Sequence, residues 1–187
     1  MCEEIKDFPI YVSKFEEEDA KTFFNSFQKA KELQLPIVPV VINSYGGNID
    51  TLFAMIDIIK SYPGKVATFG IGTVMSSGAI LLSFGTYGMR YLSPNARVMM
   101  HSISAGAWGK VCEVKVATKE AVRLQNHLYR LMAKQCKQPT SYFLNYFKDH
   151  QDLDIYMMPK IAKYHKIIDH ISYPKINIKN KTSIEIK

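Results

Sequence analysis

Two serines, Ser76 and Ser77, stand in the run GIGTVMSSGAILL (residues 70–82), among apolar residues and with glycines on both sides. Hydroxyls in such a place either cap a helix or do chemistry. A serine becomes a nucleophile only when a base takes its proton and an acid orients that base. His101, at the end of the apolar run RVMMHS, is the candidate base. The other histidines, His127, His150, His165 and His170, have more polar neighbours. Asp149, Asp152, Asp154 and Asp169 are all candidate acids, and composition does not choose among them. Taken alone, Ser76 reads as a helix N-cap, because serine is a preferred cap and catalytic serines are rare. A lone His101 likewise reads as a satisfied core histidine.

A second glycine-rich stretch, Tyr45-Gly46-Gly47-Asn48, follows the apolar run IVPVVIN. Glycine pairs let the backbone turn tightly or approach another chain closely. Neither glycine-rich stretch has the Lys-Ser/Thr ending of a P-loop or the three-glycine dinucleotide fingerprint, so phosphate binding is not expected.

The elements that must position these residues alternate. FPIYV (8–12) reads as a short strand and residues 16–34 as a helix with an apolar stripe of Phe23, Phe24, Phe27 and Ala30. Residues 37–43 are β-branched and apolar, as in a buried strand. IDTLFAMIDIIKSY (49–62) places Leu52, Met55, Ile56 and Ile59 at helical spacing and stops at Pro63-Gly64. KVATFGIG (65–72) reads as the next strand, residues 76–85 as a helix, and MRYLS and RVMMHSI (97–103) as strands. A longer helix, 113–135, repeats Val114, Ala117, Ala121, Leu124, Leu128 and Leu131 at steps of three and four. A further helix is expected around 158–165. The alternation predicts an α/β fold with a mostly parallel sheet, in which functional groups collect at the carboxyl ends of strands.

Composition narrows the classes. The chain has 187 residues, 47% hydrophobic, which suits one domain with a real core. Cys2, Cys112 and Cys136 are far apart and odd in number, so neither a zinc site nor a disulfide framework is expected. No cofactor and no metal are expected. MCEEIKDFP is not a signal peptide, and no apolar run approaches the roughly 18 residues of a membrane helix. A cytoplasmic setting follows. The net charge of +7 rests on scattered lysines, and Lys175, Lys179, Lys181 and Lys187 give the end of the chain a basic, solvated tail. Nucleic acid is therefore not the expected partner.

Four stretches in order, INSYGGNID, GIGTVMSSGAILL, SPNARVMMHSI and DIYMMPKIAKYHKIID, resemble the proteolytic subunits of the Clp protease family. The resemblance covers roughly residues 8–170, and PNARVMMH is its most specific motif. It implies a crotonase-like Clp protease fold with a protruding handle helix. It also implies a single peptidase domain over 1–172, a handle at about 102–137, and the basic tail at 173–187. The implied triad is Ser76 as nucleophile, His101 as base and Asp154 as acid, with Gly-Ala at 78–79 setting the register on Ser76. The implied oxyanion-hole donors are the amides of Gly47 and Ser77, so that Ser77 acts through its backbone. Gly46, Asn48, Ile49, Ser102 and Ile103 are implied to bind substrate, pairing with a peptide as an added strand.

The activity implied is that of a serine endopeptidase cutting peptides or unfolded proteins inside a homo-oligomeric chamber, most simply two stacked seven-membered rings. A Clp-type ATPase partner is doubtful on this resemblance. Pro39 and Val41 stand where the family carries aromatic residues that dock the ATPase, and the family's gating segment is not expected before the first strand. The alternatives are a catalytically silent ring subunit of the same fold and, behind it, a crotonase-like acyl-CoA enzyme. The complete triad speaks against both.

Overall fold

The run Ile37–Ser44 forms β2, almost wholly buried, because five consecutive apolar side chains have no solvent face to offer. In the computed structural model, residues 8–104, 106–151, 153–173, 175–180 and 183–186 are described. Strands and helices alternate: β1 (Ile10–Val12), α1 (Glu17–Glu32), β2, α2 (Ile49–Ser61), β3 (Lys65–Met75), α3 (Ser77–Ser83), β4 (Arg90–Leu92) and β5 (Arg97–Met100). After them come α4 (Val111–Gln135), α5 (Tyr142–Asp149), β6 (Ile155–Met157), α6 (Pro159–Tyr164), β7 (His170–Ile171), β8 (Ile176–Asn180) and β9 (Ser183–Ile186). The main sheet runs β1-β2-β3-β4-β7, with β5 pairing β3 and β6. The pairs along β1-β2-β3-β4-β7, and the β3–β5 pair, are parallel. The fold is thus α/β with a mostly parallel sheet, as expected. Among the described residues no helix is long and apolar enough to cross a membrane.

Contacts divide the chain into two units, residues 1–99 with 156–187, and residues 100–155. In the first, α1 opens with Asp19 Oδ2 accepting the Glu16 amide at 2.8 Å and buries Phe23, Phe27 and Ala30. Leu52, Met55, Ile56 and Ile59 form the buried stripe of α2. Every residue of α3 is buried. Within the stretch read as a basic tail, β8 and β9 pair antiparallel. Ile176 at the start of β8 packs with Tyr91 and Ile71 against the cluster of Val41, Ala67 and Phe69.

Strand β3 is longer than its glycines predict. It pairs Ile42 with Gly70 and then Ser44 with Val74, so a bulge inserts extra residues on the β3 side. Gly72 supplies a φ of +57° there, and Asn43 Oδ1 accepts the Thr73 amide at 3.0 Å. Before the bulge β3 lies beside β4, and after it beside β5, with Met75 opposite Met99. Residues Thr73 to Met75, expected as loop, are therefore strand.

Arg90 is fully buried, and its guanidinium grips Asp169 with two hydrogen bonds, Nε to Oδ2 at 2.8 Å and Nη2 to Oδ1 at 2.6 Å. The amides of Gly88 and Arg90 donate to the same carboxylate. Burial pushes the Asp169 carboxyl up, but the Arg90 hydrogen bonds and charge, with those amides, outweigh it and hold the pKa below its ordinary value. A depressed pKa stabilises the fold fully above the unfolded value of about 4 and loses that contribution as pH falls through the folded value. Asp169→Asn is expected to destabilise the fold by about 3–5 kcal/mol at neutral pH, because it strands a buried guanidinium. Denaturant melts from pH 7 to 2 check this: the stability gap should close as acid protonates the wild-type carboxyl. A gap constant across that range would exclude the ion pair as its cause.

In the second unit, α4 buries Leu128, Tyr129, Met132 and Ala133 over its last turns. Tyr129 stacks on Phe147 of α5, with ring centroids 4.5 Å apart and planes within 2°. The expected seam is only partly covered towards the start of α4. Leu128 is buried, Val114, Ala121, Leu124 and Leu131 are half-buried, and Ala117 is exposed.

Candidate active site

Ser76 is the one residue between β3 and α3. Its backbone sits at φ +51°, ψ −124°, a conformation that L side chains rarely adopt and that costs about 1–3 kcal/mol. Two backbone hydrogen bonds hold it: its amide donates to Met99 O at 2.8 Å, and its carbonyl accepts the Ile80 amide at 3.2 Å. The side chain makes no capping hydrogen bond. Ser76 occupies the N-cap position, therefore, without doing what an N-cap serine does. A sharp strand-to-helix turn of this kind presents a hydroxyl at the carboxyl edge of a parallel sheet.

The glycine pair explains how a second loop reaches this serine. Gly46 has φ +102°, and a Cβ there would lie 2.6 Å from Ser76 Cβ and 3.1 Å from Ser76 Oγ. Any side chain would collide with the hydroxyl-bearing residue. Gly47, at φ +152°, is pressed against Phe15, and a Cβ would lie 2.9 Å from that residue's Cβ. The two residues form an isolated parallel bridge, and Phe15 O accepts the Asn48 amide at 2.9 Å. Ser44 Oγ accepts the Gly46 amide at 3.0 Å. Asn48 caps α2, its Oδ1 accepting from the amides of Asp50 and Thr51 at 2.7 and 3.2 Å. Ser77 is buried at 4% exposure, and its hydroxyl donates to Gly47 O at 2.9 Å.

Gly46, Gly47, Asn48, Ile49, Ser76 and Ser77 thus belong to the first unit. His101, Ser102, Ile103 and Asp154 belong to the second. His101 is half-buried and follows β5, and its carbonyl accepts the Tyr129 hydroxyl at 3.4 Å. The amide of Ile103 donates to Gln125 Oε1 at 2.9 Å. Asp154 is exposed and immediately precedes β6.

The remaining candidates sort by their partners. Asp169 has both carboxylate oxygens on Arg90. Asp149 is exposed and ends α5, while Asp152 lies outside the described residues. His150 Nδ1 lies 2.7 Å from Tyr146 O, and His170 stacks on Tyr91. Among the described residues, no group of three or more His, Cys, Asp or Glu side chains could hold a metal ion. Sequence reasoning gave Ser77 only a backbone part, and the structure adds its hydroxyl. It also missed Phe15, the residue that seats Gly47.

The strained Ser76, at the carboxyl edge of a parallel sheet with a glycine loop folded against it, is the centre of the candidate site. The Clp protease profile matches residues 13–175, and the chain belongs to the Clp protease family. Its relatives include proteins named ATP-dependent Clp protease proteolytic subunit 2 from Corynebacterium efficiens and Corynebacterium diphtheriae. Each is 34% identical to this chain over 134 residues, which is 72% of this chain and 65% of the relative.

Proposed function

We propose that this chain is a serine endopeptidase that hydrolyses peptides or unfolded proteins inside an oligomeric chamber. The observation that carries this reading is Ser76, held in a strained turn with a side chain that does not cap its helix. A fold spends that strain where a side chain must be aimed. Membership of the Clp protease family supports the same reaction class.

In this reading Ser76 Oγ attacks the scissile carbonyl carbon while His101 Nε2 takes its proton. Asp154 holds the imidazole tautomer and stabilises the imidazolium. The carbonyl oxygen becomes an oxyanion, received by the amides of Gly47 and Ser77. Donors of this kind are worth about 3–4 kcal/mol of barrier. Collapse breaks the C–N bond, and the departing amine takes the proton from His101. Water, deprotonated by the same histidine, then attacks the ester carbon; the C–Oγ bond breaks and His101 returns the proton to Ser76 Oγ. Gly46, Asn48, Ile49, Ser102 and Ile103 are the residues proposed to bind the substrate backbone. The assembly proposed is a homo-oligomer of two stacked seven-membered rings, with α4 in the handle. A silent ring subunit or an acyl-CoA enzyme would have no use for the strain at Ser76.

The test is covalent labelling by a fluorophosphonate, read by peptide mass spectrometry beside light scattering. The expected result is one adduct, on the peptide containing Ser76, in a species far larger than 21.3 kDa. No adduct, or an adduct on another serine only, would refute the peptidase reading. A 21.3 kDa monomer at micromolar concentration would refute the chamber.

A further inference from the structure

We propose that the Ser77 hydroxyl positions the oxyanion hole, fixing the Gly47 amide while the Ser77 backbone supplies the other donor. The inference rests on the peptidase reading above. The Gly47 amide belongs to the peptide unit between Gly46 and Gly47. Glycines on both sides leave that unit soft, at φ values of +102° and +152°. It must be held by what flanks it. On one side Ser44 Oγ fixes the Gly46 amide. On the other, the Gly47 carbonyl is fixed by Ser77 Oγ at 2.9 Å, and the Asn48 amide by Phe15 O.

Of these anchors, only the Ser77 hydroxyl links the glycine loop by a hydrogen bond to the turn that carries Ser76. It spans 30 residues of sequence. Ser77 is itself buried and the hydrogen bond is part-buried, so water makes good only part of its loss. Oxyanion donors act over a narrow window of about 2.7–3.1 Å, and misplacement by 1 Å can cost about 10²-fold. One residue therefore sets both donors, one through its amide and the other through its side chain. Ser77 is a positioning residue in this role, since its hydroxyl touches Gly47 and not the reacting atoms.

The experiment compares Ser77→Ala, Ser77→Cys and Ser77→Thr with the wild-type chain. It measures kcat and KM on a peptide amide, inhibition by a peptide boronate, and hydrogen exchange over residues 44–50. Ser77→Ala is expected to lower kcat about tenfold, with KM within twofold, and to weaken the boronate about tenfold. Exchange at Gly47 and Asn48 should rise. Ser77→Thr should restore most of both, and Ser77→Cys, a weak donor, should fall between. If Ser77→Ala keeps kcat and exchange within twofold of wild type, or if its loss sits in KM, the proposal is overturned. A wild-type chain with no peptidase activity would sink the peptidase reading instead. Exchange then decides the tether by itself: faster exchange in Ser77→Ala upholds it, and unchanged exchange overturns it.

Discussion

Ser76→Ala is expected to abolish peptide hydrolysis, lowering kcat by about 10⁶-fold, and to remove fluorophosphonate labelling. The hydroxyl is the attacking atom in the proposed reaction, and no neighbouring group offers the same trajectory. The Ser77 hydroxyl is turned away and engaged with Gly47 O at 2.9 Å. Folding should survive the change. Ser76 Oγ makes no capping hydrogen bond, so α3 loses no cap with it. Alanine at φ +51° is as strained as serine, so the turn gains no relief. The measurements are kcat on a peptide amide, melting temperature and far-ultraviolet circular dichroism. Loss of activity with the melt and spectrum unchanged is the expected outcome. Activity kept within tenfold would remove Ser76 from the nucleophile's place.

The strands and helices with the strongest periodicity were readable within a residue or two. Residues 37–43 and 49–62 became β2 and α2 because an unbroken apolar run and a stripe at 3.6 spacing each have one way to be buried. The continuation of β3 through Met75 was not readable. Gly70 and Gly72 look like breakers in sequence, and what sustains the strand is Asn43, 30 residues from Thr73. Helix α5 was missed, since Phe143 and Phe147 are its only buried residues and offer little periodic signal. At the site, residue type alone favoured a cap for Ser76; the family resemblance argues otherwise, and so do its backbone angles and the lack of a capping bond. The tie from Ser77 to Gly47 was invisible because its acceptor is a backbone carbonyl, which no sequence marks. The four aspartates were equivalent in composition. Geometry separates Asp169, whose oxygens are taken by a fully buried Arg90.

That separation sharpens the test of the acid. Asp154→Asn is expected to lower kcat by about 10³–10⁴-fold and to leave KM nearly unchanged. An amide in place of the carboxylate offers its N–H where an acceptor is needed, so the imidazole is held in the wrong tautomer and the imidazolium loses its counter-charge. Asp154 is exposed and precedes β6, so the neutral side chain should fold as well as the charged one. Asp169→Asn provides the contrast. It takes the partner from a buried guanidinium, so its effect should fall on the melting temperature. The rate of the molecules that remain folded should be near that of wild type. Asp149→Asn, at the exposed end of α5, should alter neither property. Steady-state kinetics and thermal melts on the three variants separate orientation of the base from support of the fold. Full activity in Asp154→Asn beside an inactive Asp149→Asn would move the acid to the end of α5. Full activity in both, beside a folded but inactive Asp169→Asn, would mean that the Arg90 pair serves catalysis rather than the fold.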